Sequence, residues 1–547
     1  MRPPTPSAVA STWRRRRRAA VGAAALVAVV VLAGCSGAPE PEGGEATELP
    51  SPGPVTQTAG EPAQDPALAR FYDQEPDWVP CGEVLECTTV TVPVDYADPS
   101  GDVLELAVSR VPAADDDERV GALVVNPGGP GASAVDWVGA DASAVAGEDV
   151  LERYDVVGVD PRGVGSSDPV DCLDDAELDA YLAEDVETST ADGLEAAEDR
   201  ARTFAAGCEE DAGALLGQVG TPSAARDLDV VRAALGEERL SYLGKSYGTL
   251  LGAEYARVFP QRVGRFVLDG ALDPASTAAE VAVGQARGLE GALRAFAEAC
   301  LDGDVDGCTL GDGDGDGDGD GDGDVDAALE EVADLVASTE DAPLPTADPD
   351  RPLTRPLAAT GVVAPLYEDQ YWPLLAQALA QAQDGDGTAL LALADAYAGR
   401  TESGSYASNL LEAFTAVTCL DYPATPVDAA TQDALRTQLE EAAPTFAGLL
   451  VGEDPTCAVW PEPPVRTPSP VEAQGAPPVL VVGTTGDPAT PYEWSRSLAD
   501  QLDRGRLLTY EGEGHTAYLR GSGCVDAAVD AYLLDGLLPG VGAVCRE

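Results

Sequence analysis

Histidine is almost absent from this chain: among 547 residues there is one, His515. A general base working near neutral pH is most readily an imidazole, so a reaction that needs one must use that residue. Positive charge is scarce too, with 32 Lys and Arg against 96 Asp and Glu and a formal net charge of −64. Six of those cations lie in residues 1–34, which hold no acid, so the rest carries 26 basic against 96 acidic residues. Such a surface repels nucleic acid and anionic membranes. The cysteines include no C-x-x-C pair, which argues against a zinc site, and neither a metal nor a cofactor is expected. No apolar run reaches the roughly 20 residues that span a bilayer.

What the N-terminus does contain is an arginine block, Arg14 to Arg18, an apolar run from Ala19 to Val31, and Leu32-Ala33-Gly34-Cys35. This is the pattern of a bacterial lipoprotein leader. It predicts a signal peptide over 1–34, export by the general or the twin-arginine route, and lipidation at Cys35 on the outer face of a membrane. That anchor is the one membrane contact expected, and nothing in the sequence specifies an oligomeric state. Residues 35–69 are rich in Pro, Gly, Glu, Ser and Thr with almost no large apolar residue, and read as a disordered tether. Ten cysteines remain beyond Cys35, an even number that behind an export signal predicts five disulfides. Sequence neighbours are the economical pairing: Cys81 with Cys87, Cys172 with Cys208, Cys300 with Cys308, Cys419 with Cys457, and Cys524 with Cys545.

The segments Thr88 to Tyr96 and Val103 to Ala113 alternate apolar with polar residues and predict an antiparallel hairpin. Short apolar runs then alternate with helical patterns: Gly121 to Gly131, Tyr154 to Ser167, a helix over Thr221 to Gly236 with Thr221 as its cap, and a strand over Arg262 to Gly270. Strands alternating with helices predict an α/β protein with a mostly parallel sheet. From Pro274 the pattern turns helical and alanine-rich, and no strand is expected until Ala476 to Asp487 restores the sheet. The expected organisation is a core over 70–273, a helical lid over 274–475, and the rest of the core over 476–547. The Gly-Asp repeat Gly311 to Asp324 falls within the lid and lacks the spaced ligands and closing Glu of a calcium loop, so it reads as solvated low-complexity chain.

The stretch Leu240 to Thr249 is a buried strand running into Gly244-Lys245-Ser246-Tyr247-Gly248 and then a helix. G-x-S-x-G at a strand-to-helix turn is a nucleophile elbow with Ser246 at its apex, flanked by glycines because a Cβ there collides with backbone. With one histidine in the chain, the base for Ser246 is His515, and Asp487 at the end of the preceding strand is the acid that orients it. The order Ser, Asp, His is that of the α/β-hydrolase fold. The hole for the developing oxyanion takes the N–H of Tyr247 and one from the Asn126-Pro-Gly-Gly-Pro-Gly131 loop, with Gly129 preferred and Gly128 the alternative. An intact set of this kind argues against a non-catalytic surface lipoprotein.

Together NPGGPG, DPRGVGSSDP, GKSYGT, VLDGALDP, GTTGDPATP and GHT resemble the secreted actinobacterial tripeptidyl aminopeptidases, relatives of prolyl aminopeptidase, from about residue 75 onward. The resemblance implies an α/β-hydrolase fold and a serine exopeptidase releasing short peptides or residues from free N-termini; the Gly-Asp run departs from it. An esterase or lipase-type hydrolase acting on small esters remains the alternative. An exopeptidase needs a carboxylate for the substrate's cationic amine, and Asp421 in AVTCLDYP and Glu368 in PLYEDQYW are the lid acids set among apolar or aromatic residues.

Overall fold

A computed structural model describes residues 47–48, 66–186, 190–311, 324–425, 429–446 and 455–546. The expected leader, Cys35, most of the tether and the interior of the Gly-Asp run lie outside the described residues.

One ten-stranded sheet organises them: β1 Val79–Pro80, β2 Glu86–Pro93, β3 Val103–Val111, β4 Gly121–Asn126, β5 Tyr154–Val159, β6 Leu240–Lys245, β7 Val263–Asp269, β8 Val479–Gly486, β9 Gly505–Glu513 and β10 Ala543–Arg546. Their spatial order is β1-β2-β3-β5-β4-β6-β7-β8-β9-β10. The first three pair antiparallel, the expected hairpin among them, and the other seven are parallel. Every residue of β4 and β5 is buried, as continuous apolar runs in a sheet covered on both faces must be. The chain is an α/β-hydrolase fold with a mostly parallel sheet. Four carboxyl strand ends, those of β4, β6, β8 and β9, project their loops to one edge, where open α/β sheets bind ligands.

Between the adjacent strands β7 and β8 the chain makes seven helices among its described residues, Ala278–Leu301, Val325–Asp341, Arg355–Val363, Trp372–Gln383, Thr388–Ala398, Leu410–Asp421 and Ala429–Ala442. Most pack into a core of their own around Leu293, Phe296, Val336, Leu375 and Leu379. The helix Leu410–Asp421 instead buries Ala416, Val417, Cys419 and Leu420 in the core of the sheet. At its start, Asn409 donates to the carbonyls of Gly163 (2.8 Å) and Val170 (3.0 Å) and accepts from the Gly165 N–H (3.0 Å). Glu412 accepts from the Cys172 and Leu173 amides at 2.6 and 2.9 Å. Disulfides join Cys81 to Cys87, Cys172 to Cys208, Cys300 to Cys308, Cys419 to Cys457 and Cys524 to Cys545.

Burial pushes Glu412 up to about 7 and Asp160 and Asp421 up to about 6, against roughly 4 in an unfolded chain. The native state thus holds these protons more tightly than the unfolded one, so stability falls as pH rises from about 4 through about 7. Relief of self-repulsion among the 96 acids acts in the same direction. Thermal unfolding is expected roughly 5 °C higher at pH 5.5 than at pH 8, and a midpoint that rises with pH over that range would contradict the assignment.

Candidate active site

Ser246 sits where β6 turns into the helix Tyr247–Val258, with φ 54° and ψ −125°, a conformation that side chains rarely adopt and that costs on the order of 1–3 kcal/mol. The two glycines of the motif permit the turn. A Cβ on Gly244 would lie 2.4 Å from the Gly248 carbonyl, and one on Gly248 would lie 2.8 Å from the Asn126 carbonyl at the end of β4. The half-buried Ser246 also donates its N–H to the Asp269 carbonyl at 2.9 Å.

Asp487 follows β8 in a tight turn and is buried, with Oδ1 accepting the N–H groups of Ala489 (3.0 Å) and Thr490 (2.7 Å). Its Oδ2 accepts from the Thr490 hydroxyl (3.0 Å) and the Thr516 N–H (3.1 Å). His515, just past β9, places Nδ1 2.9 and 3.1 Å from the two carboxylate oxygens and 3.3 Å from the Thr490 hydroxyl. A carboxylate on Nδ1 fixes the tautomer: Nδ1 carries the proton and Nε2 is the basic nitrogen. From the inserted segment, the Tyr367 carbonyl accepts the His515 N–H at 2.7 Å, and its ring stands edge-on to the imidazole at 5.5 Å.

The histidine loop is tied to the elbow from below. Asp269, the last residue of β7, accepts the Ala517 (3.0 Å) and Tyr518 (2.9 Å) amides, and Lys245 donates Nζ to the Tyr518 carbonyl at 2.7 Å. Burial lowers the Lys245 ammonium to about 8 against the opposing pull of Asp269. Lys245, which precedes Ser246, and Asp269, whose carbonyl accepts the Ser246 N–H, therefore grip the chain two and three positions after His515, and Ser246, Asp487 and His515 all follow strand ends at one sheet edge.

The Asn126–Gly131 loop lies against the elbow. A Cβ on Gly128 would stand 2.8 Å from both the Lys245 carbonyl and Ser246 Cβ. The Gly128 N–H is committed to Asn126 Oδ1 at 3.0 Å, whereas among the described residues neither Gly129 nor Tyr247 has an acceptor for its amide. In the DPRG motif, Arg162 is fully buried and pairs with Asp227 at 2.7 Å while bonding the Pro93 and Val94 carbonyls. That motif supports the sheet edge and touches no reacting group.

The two acids expected to meet an amine separate. Asp421 does not line a cleft: it is 1% exposed, and its carboxylate is taken by the backbone N–H of Thr221 (2.9 Å) and by the Thr221 hydroxyl. Thr221, expected as the cap of its helix, is instead the first helical residue after Gly220, and Asp421 supplies the cap from far along the chain. Glu368 lies beside the site, next to Tyr367, its Cα 3.8 Å from where a Cβ on Gly514 would stand. It forms an ion pair with Arg520. Thr490 and Tyr367 were not singled out from the sequence. The D-x-x-T spacing of a turn that caps itself was the available signal for Thr490; for Tyr367, whose contact is a carbonyl, there was none.

Comparison with known proteins places the chain in a family. Residues 121–303 match the family model for the alpha/beta hydrolase fold and residues 443–545 that for TAP-like protein. The chain is 39% identical to serine protease Hip1 of Mycobacterium tuberculosis over 86% of its own length and 91% of the relative's. It is 34% identical to a tripeptidyl aminopeptidase of Streptomyces lividans, covering 86% of each chain. The chain belongs to the tripeptidyl aminopeptidase-like α/β-hydrolases. This family also reaches a carboxylesterase B of M. tuberculosis, 41% identical over 94% of this chain and 96% of that one. Within the tripeptidyl aminopeptidase-like hydrolases, then, relatives of similar identity carry peptidase and esterase names.

Proposed function

We propose that this protein is an exported serine exopeptidase that releases short peptides, tripeptides foremost, from free N-termini. The observation that carries the reading is the chain's one histidine held through Nδ1 by a buried carboxylate at the edge that bears the strained serine. In the proposed cycle Ser246 Oγ attacks the scissile carbonyl as His515 Nε2 takes its proton. The oxyanion is received by the Tyr247 and Gly129 amides, the C–N bond breaks as His515 protonates the leaving amine, and an acyl-enzyme remains. Water, deprotonated by the same nitrogen, then releases the peptide acid and restores Ser246. The serine protease and tripeptidyl aminopeptidase names of two relatives support a peptidase.

Glu368 is proposed as the acid that meets the substrate amine, because it adjoins Tyr367, whose carbonyl holds His515. The helical segment over 274–475 is proposed as the lid that carries it. Aminoacyl-, dipeptidyl- and tripeptidyl-anilides assayed beside their N-acetyl forms test both ideas. Free tripeptidyl anilide should be preferred, and Glu368→Gln should raise its KM about tenfold, about 1.4 kcal/mol, without changing p-nitrophenyl acetate hydrolysis. Equal cleavage of acetylated peptides would sink the exopeptidase assignment. The carboxylesterase B relative favours a second reading, a small-ester hydrolase, which gains if esters turn over and no peptide anilide does.

Residues 1–34 are proposed as a lipoprotein leader, Cys35 as the acylated residue and 35–69 as the tether to the membrane. Palmitate labelling in an actinobacterial host should be lost in Cys35→Ala. An unacylated wild-type product would rule the anchor out.

A further inference from the structure

The helix Leu410–Asp421 leaves the main insertion to pack in the sheet core, and its two ends reach the two halves of the proposed oxyanion hole. At its first turn it lies on the Asn126–Gly131 loop. A Cβ on Gly131 would meet the Leu410 carbonyl at 2.5 Å and the Phe414 amide at 3.1 Å, and one on Gly129 would meet Leu410 Cδ1 at 3.4 Å. At its last residue, Asp421 holds Thr221 through both the amide and the hydroxyl. The Thr221 oxygen lies 2.6 Å from the Tyr247 hydroxyl. Since the single Thr221 proton goes to the carboxylate, the bond from Tyr247 runs one way, with the phenol donating to Thr221 and Thr221 donating to Asp421.

All three side chains are buried, with exposures of 4%, 0% and 1% for Tyr247, Thr221 and Asp421. A buried carboxylate at the end of such a chain polarises every bond in it and holds the groups in one arrangement. The rest of the surroundings also fixes the Asp421 end. Arg466 donates to the Asp421 carbonyl at 3.5 Å, and the neighbouring Cys419 is bonded to Cys457. Gly220 leaves room for the approach, since a Cβ there would sit 3.3 Å from Asp421 Oδ1.

We propose that Asp421, Thr221 and the Tyr247 phenol form a positioning relay that sets the aim of the Tyr247 amide, with the helix Leu410–Asp421 bracing both oxyanion donors. The inference rests on the serine-hydrolase reading above. None of the three side chains touches substrate; the relay acts through the backbone of Tyr247. A helix supplied by the insertion thereby sets the rate of the chemical step, independently of substrate capture. Donors aimed at developing charge are effective because they do not have to reorganise, and loss of aim by a fraction of an ångström lowers kcat without weakening the ground state.

The test uses the full-length enzyme and two variants, Tyr247→Phe and Asp421→Asn. Each should lower kcat for a tripeptidyl anilide about tenfold with KM within about twofold of wild type. Affinity for a tripeptide aldehyde, whose hemiacetal oxygen occupies the same hole, should weaken by the same factor as kcat. Affinity for the free tripeptide product should be unchanged. Because the groups act as one chain, the double variant should be no worse than the poorer single one. Should Asp421→Asn fail to fold, Tyr247→Phe, which loses one hydroxyl, still decides the matter. Wild-type kcat in Tyr247→Phe would overturn the relay, as would parallel losses in product and aldehyde affinity. Failure of a fluorophosphonate probe to label Ser246 in the wild type would instead overturn the serine-hydrolase reading itself.

Discussion

Ser246→Ala is expected to abolish both turnover and fluorophosphonate labelling, and His515→Ala to lower kcat by a factor on the order of 10⁵ to 10⁶, the scale on which serine triads fail as units. The chain has no second histidine that could take over proton transfer. The carboxylate of Asp487 is already occupied by donors from Ala489, Thr490 and Thr516 and does not replace the base. A Ser246→Ala, His515→Ala double variant should be no slower than either single one. Thermal stability should change little, because Ser246 leaves its strained backbone in place through the Asp269 bond, and His515 is held by its backbone N–H. Probe labelling at another serine, or a His515→Ala enzyme within about tenfold of wild type, would end the assignment.

The second large effect is expected from one methyl group. Gly128→Ala puts a Cβ 2.8 Å from the Lys245 carbonyl and 2.8 Å from Ser246 Cβ, at a residue whose φ of 104° already disfavours any side chain. Neither neighbour can yield: Lys245 is held by its Nζ bond to Tyr518, and Ser246 by the elbow. The loop must therefore withdraw, carrying the Gly129 amide with it, and loss of one oxyanion donor costs about 10² to 10³ in kcat. Gly291→Ala is the matched control, since a Cβ there meets nothing within 4 Å and lies in the helix Ala278–Leu301. It should keep full activity and gain a few tenths of a kcal/mol in stability or more. Equal behaviour of the two variants would mean that the loop has no part in the reaction.

The elbow and the single histidine are features that short-range sequence reveals well. The elbow is legible because its strand, glycines and serine lie within ten residues, and the histidine because it has no rival. The alternation of buried strands and helices gave the parallel sheet for the same reason. What escaped notice depends on partners far apart. Asp421 sits among apolar residues in the sequence whether it faces a cleft or caps a helix, and only its contact with Thr221, 200 residues away, decides between the two. The helix Leu410–Asp421 is short and carries Glu412 on its buried side, where a partner from the 172–173 amides satisfies it; hydrophobic periodicity alone does not anticipate such a face. Strand β10 has four residues and only one of them is buried, too little alternation to mark a strand without the neighbouring β9.

The strands β7 and β8 lie side by side, with Phe266 opposite Val479, although the whole helical insertion separates them along the chain. Joining two such distant strands carries a loop-closure penalty that delays the event, and a segment able to bury its own core shortens the effective loop once it has collapsed. Ser246 stands on one side of this seam, Asp487 and His515 on the other. During refolding the helical signal should therefore return first and peptidase turnover last, with the seam as the slow step and a compact, inert species preceding the working enzyme.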